Sequence, residues 1–161
     1  MTTDADLQKA LWKALKSDRT VMLAVAGADK SHARPMTAQF ENDQSPIWFF
    51  TSADNGLVEA IAHSNAAVAT FSAKGHDLFA TLHGTLSLDT DRATIDRLWN
   101  GFIAAWFEGG KDDPNLRLLR LDAETAEIWL NENNFVASVK MLLGIDPKAD
   151  YADKSAKVSL A

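Results

Sequence analysis

Cysteine is absent from the 161 residues, which removes disulfides, thiolate metal ligands and cysteine nucleophiles together. No apolar run approaches membrane-spanning length, and the first residues, with Asp4, Asp6 and Lys9, lack the hydrophobic stretch of a secretory signal. The expected compartment is therefore the cytoplasm, with no membrane partner. Positive charge is scarce as well: 16 Lys and Arg against 22 Asp and Glu leave a formal net charge of -6. Such a chain repels nucleic acid at long range, so a phosphate-bearing ligand needs a local basic site. The usual cradles for one are missing. There is no Gly-x-Gly-x-x-Gly, and Gly110-Lys111 runs into Asp112 where a phosphate loop requires Ser or Thr. His32, His63, His76 and His83 are scattered without metal-ligand spacing, and no Gly-x-Ser-x-Gly elbow occurs.

What remains is 47% hydrophobic and 24% charged, enough to bury one core in a single domain spanning 1–161. Leu7, Leu11 and Leu15 recur at helical spacing behind Thr3, a candidate cap. Residues 20–26 and 31–40 read as two extended stretches joined by a turn at 27–30, and Pro46 to Thr51 as a central strand. Asp54 is placed to cap a short helix carrying Leu57, Val58, Ile61 and Ala62. Strands are expected near 67–72 and 78–88. Ile95, Leu98, Trp99, Phe102, Ile103 and Trp106 then fall on one face of a long helix stopped by Gly109-Gly110. Further strands are expected over 116–121 and 126–130, a last helix over 134–143, and a loosely held tail beyond Pro147. Strands in runs of two or three, separated by single helices of unequal length, predict a mainly β fold with peripheral α helices. The pattern suits an antiparallel barrel or strongly curved sheet better than a doubly wound one.

Two segments carry candidate chemistry. Within His32-Ala33-Arg34-Pro35-Met36-Thr37, the proline removes a ladder donor and so belongs at a sheet edge or bulge. Arg34 is then either a solvated strand-edge cation or a phosphate ligand, with Thr37 adding a hydroxyl. In Trp48-Phe49-Phe50-Thr51, alternation puts an aromatic on both faces of the strand. Either both faces are packed, or one meets a flat ligand. Trp99, Trp106 and Trp129 pose the same choice between packing and stacking.

Taken in order, Arg34-Pro35-Met36-Thr37 and Ile47-Trp48-Phe49-Phe50-Thr51 resemble the pyridoxamine 5'-phosphate oxidase-like family of FMN-binding split barrels. Gly84, Asp91-Arg92, Leu98-Trp99, the run Trp106-Phe107-Glu108-Gly109-Gly110-Lys111-Asp112-Asp113-Pro114 and Trp129 are similar to its bacterial general stress protein branch. The resemblance covers about Asp6 to Leu143. It implies a six-stranded antiparallel split barrel, a homodimer, and FMN, with FAD as an alternative, in the groove between subunits. By the same resemblance Arg34 holds the phosphate, and Pro35, Met36 and Thr37 lie along the cofactor. The backbones of Phe49, Phe50 and Thr51 edge the ring, with Thr51 near the ribityl chain and Trp48 a further candidate for the cofactor site, while Trp106, Phe107 and Trp129 approach from the partner subunit. Two departures stand out. Many relatives place a second phosphate ligand, a lysine, where this chain has Leu57. The Arg-x-His of true pyridoxamine phosphate oxidases is missing after Trp129, which argues against vitamin B6 oxidation. The implied role is a flavin-dependent redox protein linked to stress, or else a non-catalytic flavin store. His32 and His83 are candidate proton carriers by residue type alone, and neither has a partner in the sequence that assigns it the task.

Overall fold

In the computed structural model, residues 2–27, 32–131, 142–144 and 155–161 are described. Helix α1 spans Asp4–Ser17 and begins as its sequence predicts: Thr3 Oγ1 accepts the Asp6 N–H, and the Asp6 carboxylate accepts the Thr3 N–H. Leu7, Leu11, Trp12 and Leu15 form its buried stripe. The strands are β1 (Thr20–Val25), β2 (Arg34–Thr37), β3 (Ile47–Ser52), β4 (Ala66–Ser72), β5 (Leu78–Asp89), β6 (Leu116–Leu130) and β7 (Ser155–Ser159). All pairings are antiparallel, in the order β2-β1-β4-β5-β6-β3, with β7 also on β6. The path curls round until Gln39, just beyond β2, pairs with Trp48 on β3. That closes a barrel filled by Leu23, Phe49, Leu82, Leu119, Leu121 and Ile128, among others, with α1 packed on it.

Several expectations are corrected. Pro46 to Thr51 does form a strand, but β3 ends the sheet path and is not central to it; closure of the barrel is what buries it. The two strands expected over 116–121 and 126–130 are one 15-residue strand, whose first half pairs β3 and second half β7 while β5 runs along its other edge. The sheet thus has seven strands where six were expected, because Ser155–Ser159, in the tail read as loose, docks on β6 and buries Val158. The turn expected at 27–30 and the helix expected over 134–143 lie largely outside the described residues.

The long helix expected after Asp89 is instead two short ones, α3 (Arg92–Leu98) and α4 (Gly101–Ala104). Trp99 is extended (ψ 134°), and the Asn100 side chain caps α4 by accepting the Ile103 N–H. The break rotates the stripe apart. Ile95, Ile103 and Phe107 pack with Trp48, Leu116 and Leu118 in a second apolar cluster outside the barrel, while Phe102 and Trp106 are left 88% and 84% exposed. Helix α2 (Gly56–Ala60) is capped by Asn55, not Asp54; the Asp54 carboxylate accepts the Ser52 hydroxyl instead. No described helix is long and apolar enough to cross a membrane.

Candidate functional site

The barrel seam is where the site begins. Gln39 and Trp48 exchange both backbone hydrogen bonds, so the N–H and C=O of each point across the seam. Two residues on, alternation aims the backbone groups of Phe50 from β3 and Thr37 from β2 at the same gap, yet among the described residues no pairing follows there. The same parity directs the position of the missing Pro35 N–H to the seam, while β2 pairs β1 through its other edge. Proline at this position therefore costs no ladder bond and keeps the seam from zipping shut.

The opening is a cleft of about 390 Å³, within the usual range for small-molecule sites. One wall is Pro35, Met36, Thr37 and Gln39; the floor is Phe50, Thr51 and Ser52 of β3; the other wall is Phe102, Ile103, Trp106 and Phe107. No Asp, Glu, His, Lys or Cys is among these lining residues. Thr51 Oγ1 accepts the Asn55 amide at 2.8 Å, which leaves its own proton free to donate. Asn55 accepts the Leu57 N–H as it caps α2 and approaches Met36 Sδ at 4.0 Å, so one side chain links β2, β3 and α2.

Arg34 directly precedes Pro35 in β2 without itself lining the cleft; it is half-buried at the start of α2, with its guanidinium carbon 3.0 Å from where a Cβ on Gly56 would lie. Among the described residues it makes no hydrogen bond or ion pair. Every other arginine has one: Arg19 with the Ala38 carbonyl, Arg92 with Asp96 and Asp112, Arg97 with Glu41, Arg117 with the Pro114 and Leu116 carbonyls, Arg120 with Asp122. A guanidinium left unpaired beside a cleft has its donors in hand for an anion.

The aromatic wall is held from behind. Asp113 accepts the Asn115 N–H at 2.8 Å and the Gly109 N–H at 3.0 Å, and these bonds lower its pKa. Lys111 pairs with Asp96 at 3.0 Å and lowers that pKa in turn, while Arg92 bridges to Asp112 at 2.6 Å. The loop carrying Trp106 and Phe107 is thereby pinned to α3.

The structure thus gathers Pro35, Met36, Thr37, Phe50, Thr51, Trp106 and Phe107 around one cleft, with Arg34 next to Pro35 in the chain but outside the lining. It does not bring the remaining candidates there. Trp48 is packed in the outer cluster with its indole N–H on Asp89 at 2.9 Å, and the side chains of Phe49 and Leu57 are fully buried in the barrel core. Trp129 lies on another face, beside Met22, Thr70, Phe79 and Thr81. His32 and His83 are exposed away from the cleft. Gln39, Ser52, Phe102 and Ile103 were not anticipated; Gln39 follows Pro35 and Thr37 at strand period, a signal available in the sequence.

Against known proteins, the family described as Pyridoxamine 5'-phosphate oxidase like matches residues 6–149. The general stress FMN/FAD binding protein of Xanthomonas citri is 60% identical, with 81% of this chain and 92% of that one covered at a TM-score of 0.76. General stress protein 26 of Bacillus subtilis is 27% identical over 122 residues, covering 74% of this chain and 85% of that protein. The pyridoxamine 5'-phosphate oxidase-related, FMN binding protein of Nostoc punctiforme shares the fold at a TM-score of 0.62 and 14% identity, with 99% of each chain covered. Barrel, open seam and a family match over most of the length agree: the chain belongs to the pyridoxamine 5'-phosphate oxidase-like family.

Proposed function

We propose that the cleft binds a flavin nucleotide, FMN or FAD, and that the protein is a flavin-dependent general stress protein. The observation that carries this is a cleft whose floor is an unzipped strand edge and whose far wall is aromatic, with an unpaired guanidinium on Arg34, the residue next to its Pro35 wall. A flavin asks for those three things: a cation for its phosphate, backbone donors and acceptors for the polar edge of its ring, and apolar faces for the ring itself. The 60% identical Xanthomonas citri protein, described as binding FMN/FAD, supports the same ligand.

When bound, a flavin supplies electron and hydride transfer, and the protein positions the ring and tunes its potential. This chain's share is to orient and to exclude water: Arg34 holds the phosphate, the backbones of Thr37 and Phe50 meet the ring edge, and Trp106 and Phe107 cover one face. The lining offers no side-chain acid or base, so the oxidoreductase role is confined to a small acceptor needing no protein proton donor. The same lining favours the second reading, a flavin store without turnover.

A homodimer completes the picture. Trp129 and the exposed Met22 sit on a sheet face away from the cleft, and docking a second copy there is what would bring Trp129 to a flavin. Light scattering then reports about twice the 17.6 kDa of one chain. The functional test is an aerobic spectrum of purified protein followed by NADH or NADPH. Flavin absorbance that bleaches with turnover supports the oxidoreductase, colour without turnover supports the store, and colourless protein that ignores added flavin contradicts both.

A further inference from the structure

Gly56 opens α2, and a Cβ built there would run into Arg34, with Cζ at 3.0 Å and Nη2 closer still. Its backbone does not need a glycine: Gly56 is helical and lies outside the left-handed region, and its N-cap is supplied by Asn55. In the first turn of a helix alanine is the better residue on propensity alone. A glycine there gives up helix stability and gains one thing the structure displays, room for a guanidinium. Leu57, next in the chain, turns into the barrel core and offers no cation of its own. Outside its own helix and chain neighbours, the three atoms nearest to the missing Cβ all belong to Arg34.

Resting on the phosphate role proposed above for Arg34, we infer that Gly56 is a positioning residue for anion recognition: its bare Cα is the shelf on which the guanidinium lies. The clash falls on the far end of a flexible side chain, so an added methyl moves the guanidinium rather than the fold. Phosphate recognition is therefore separable from stability at this position, in opposite directions. Gly56→Ala keeps or improves folding and displaces the cation. Because Arg34 has no hydrogen-bonding or ionic partner among the described residues to hold it in place, the shelf is what selects its conformation.

The test is titration of FMN and riboflavin, followed by quenching of flavin fluorescence, into the parent, Gly56→Ala, Arg34→Ala and the double variant, with urea unfolding of each. For Gly56→Ala the expected result is about a tenfold loss for FMN and a change within about twofold for riboflavin. The urea midpoint should be unchanged or higher, and in the Arg34→Ala background Gly56→Ala should cost nothing further for FMN. If Arg34→Ala weakens FMN selectively while Gly56→Ala weakens neither flavin, or both equally, the shelf is overturned and the phosphate site stands. If Arg34→Ala itself fails to separate FMN from riboflavin, the phosphate role falls and the shelf with it.

Discussion

The backbones of Gln39 and Trp48 exchange two hydrogen bonds, of 2.8 and 2.7 Å, and among the described residues theirs is the pair that joins the β2 side of the barrel to β3. Closure and cleft are thus one feature. The seam is fastened at this point and opens two residues further along, where the ladder would otherwise continue. Pro35 reinforces the opening by removing a donor from the edge that faces it.

The Trp48 side chain reaches away from the seam, across β6, where its indole N–H donates to Asp89 at the end of β5. Trp48→Phe leaves the carboxylate without that donor and a small cavity in the outer cluster, and should cost about 1–3 kcal/mol. Asp89→Ala strands a buried indole N–H at similar cost. The two losses should not add in the double variant, since they break the same bond. Urea midpoints at constant m-value provide the check.

The pH dependence of the aromatic wall follows from Asp113. The Asn115 and Gly109 amides hold its carboxyl below the ordinary value of 3.8. A depressed folded-state pKa stabilises the fold fully above the unfolded value and ceases to do so as pH falls through the folded one. Asp113→Asn offers one oxygen where two amides need acceptors. The parent should therefore be more stable than Asp113→Asn at neutral pH, with the gap closing below about pH 3.8 as Asp113 protonates. Urea unfolding of both proteins from pH 7 to 2 measures it; a gap that widens in acid would contradict the assignment.

Trp106 separates binding from folding. At 84% exposure its truncation to alanine should change stability by less than about 0.5 kcal/mol. If it covers the flavin ring, the same change weakens flavin binding by about 0.5–1.5 kcal/mol and removes part of the tryptophan quenching on titration. Unaltered affinity and quenching would take Trp106 out of the wall.

Much of this was legible beforehand. Period-two alternation in 47–52 put an aromatic on each face and left packing or a flat ligand open; Phe49 is packed in the barrel core and Trp48 in the outer cluster, while Phe50 lines the cleft. The cap at Thr3, and the proline beside Arg34, were readable because each depends on local chemistry. The helix break at Trp99-Asn100 was not, since the apolar spacing continues across it and only the Asn100 cap betrays the restart. Strand β7 was missed because Ser155–Ser159 has one buried apolar residue, Val158, and takes its stability from an edge of β6 that β3 leaves free. Gly56 carried no signal at all in the sequence, as its meaning lies in a side chain more than twenty positions away.

The central claim is that Arg34 binds the phosphate of a flavin nucleotide, and the most direct measurement is the difference between FMN and riboflavin affinities in the parent and in Arg34→Ala. Charge-assisted hydrogen bonds of about 1.5–3 kcal/mol correspond to a loss of roughly ten- to a hundredfold for FMN. Riboflavin, lacking the phosphate, should lose little, and the FMN preference of the parent should shrink as salt rises. No cation lines the cleft and Leu57 is buried, so neither the lining nor position 57 offers a substitute for Arg34. Circular dichroism that matches the parent excludes a folding defect. A selective loss for FMN is the result predicted; equal losses for the two flavins, or none for either, would contradict it.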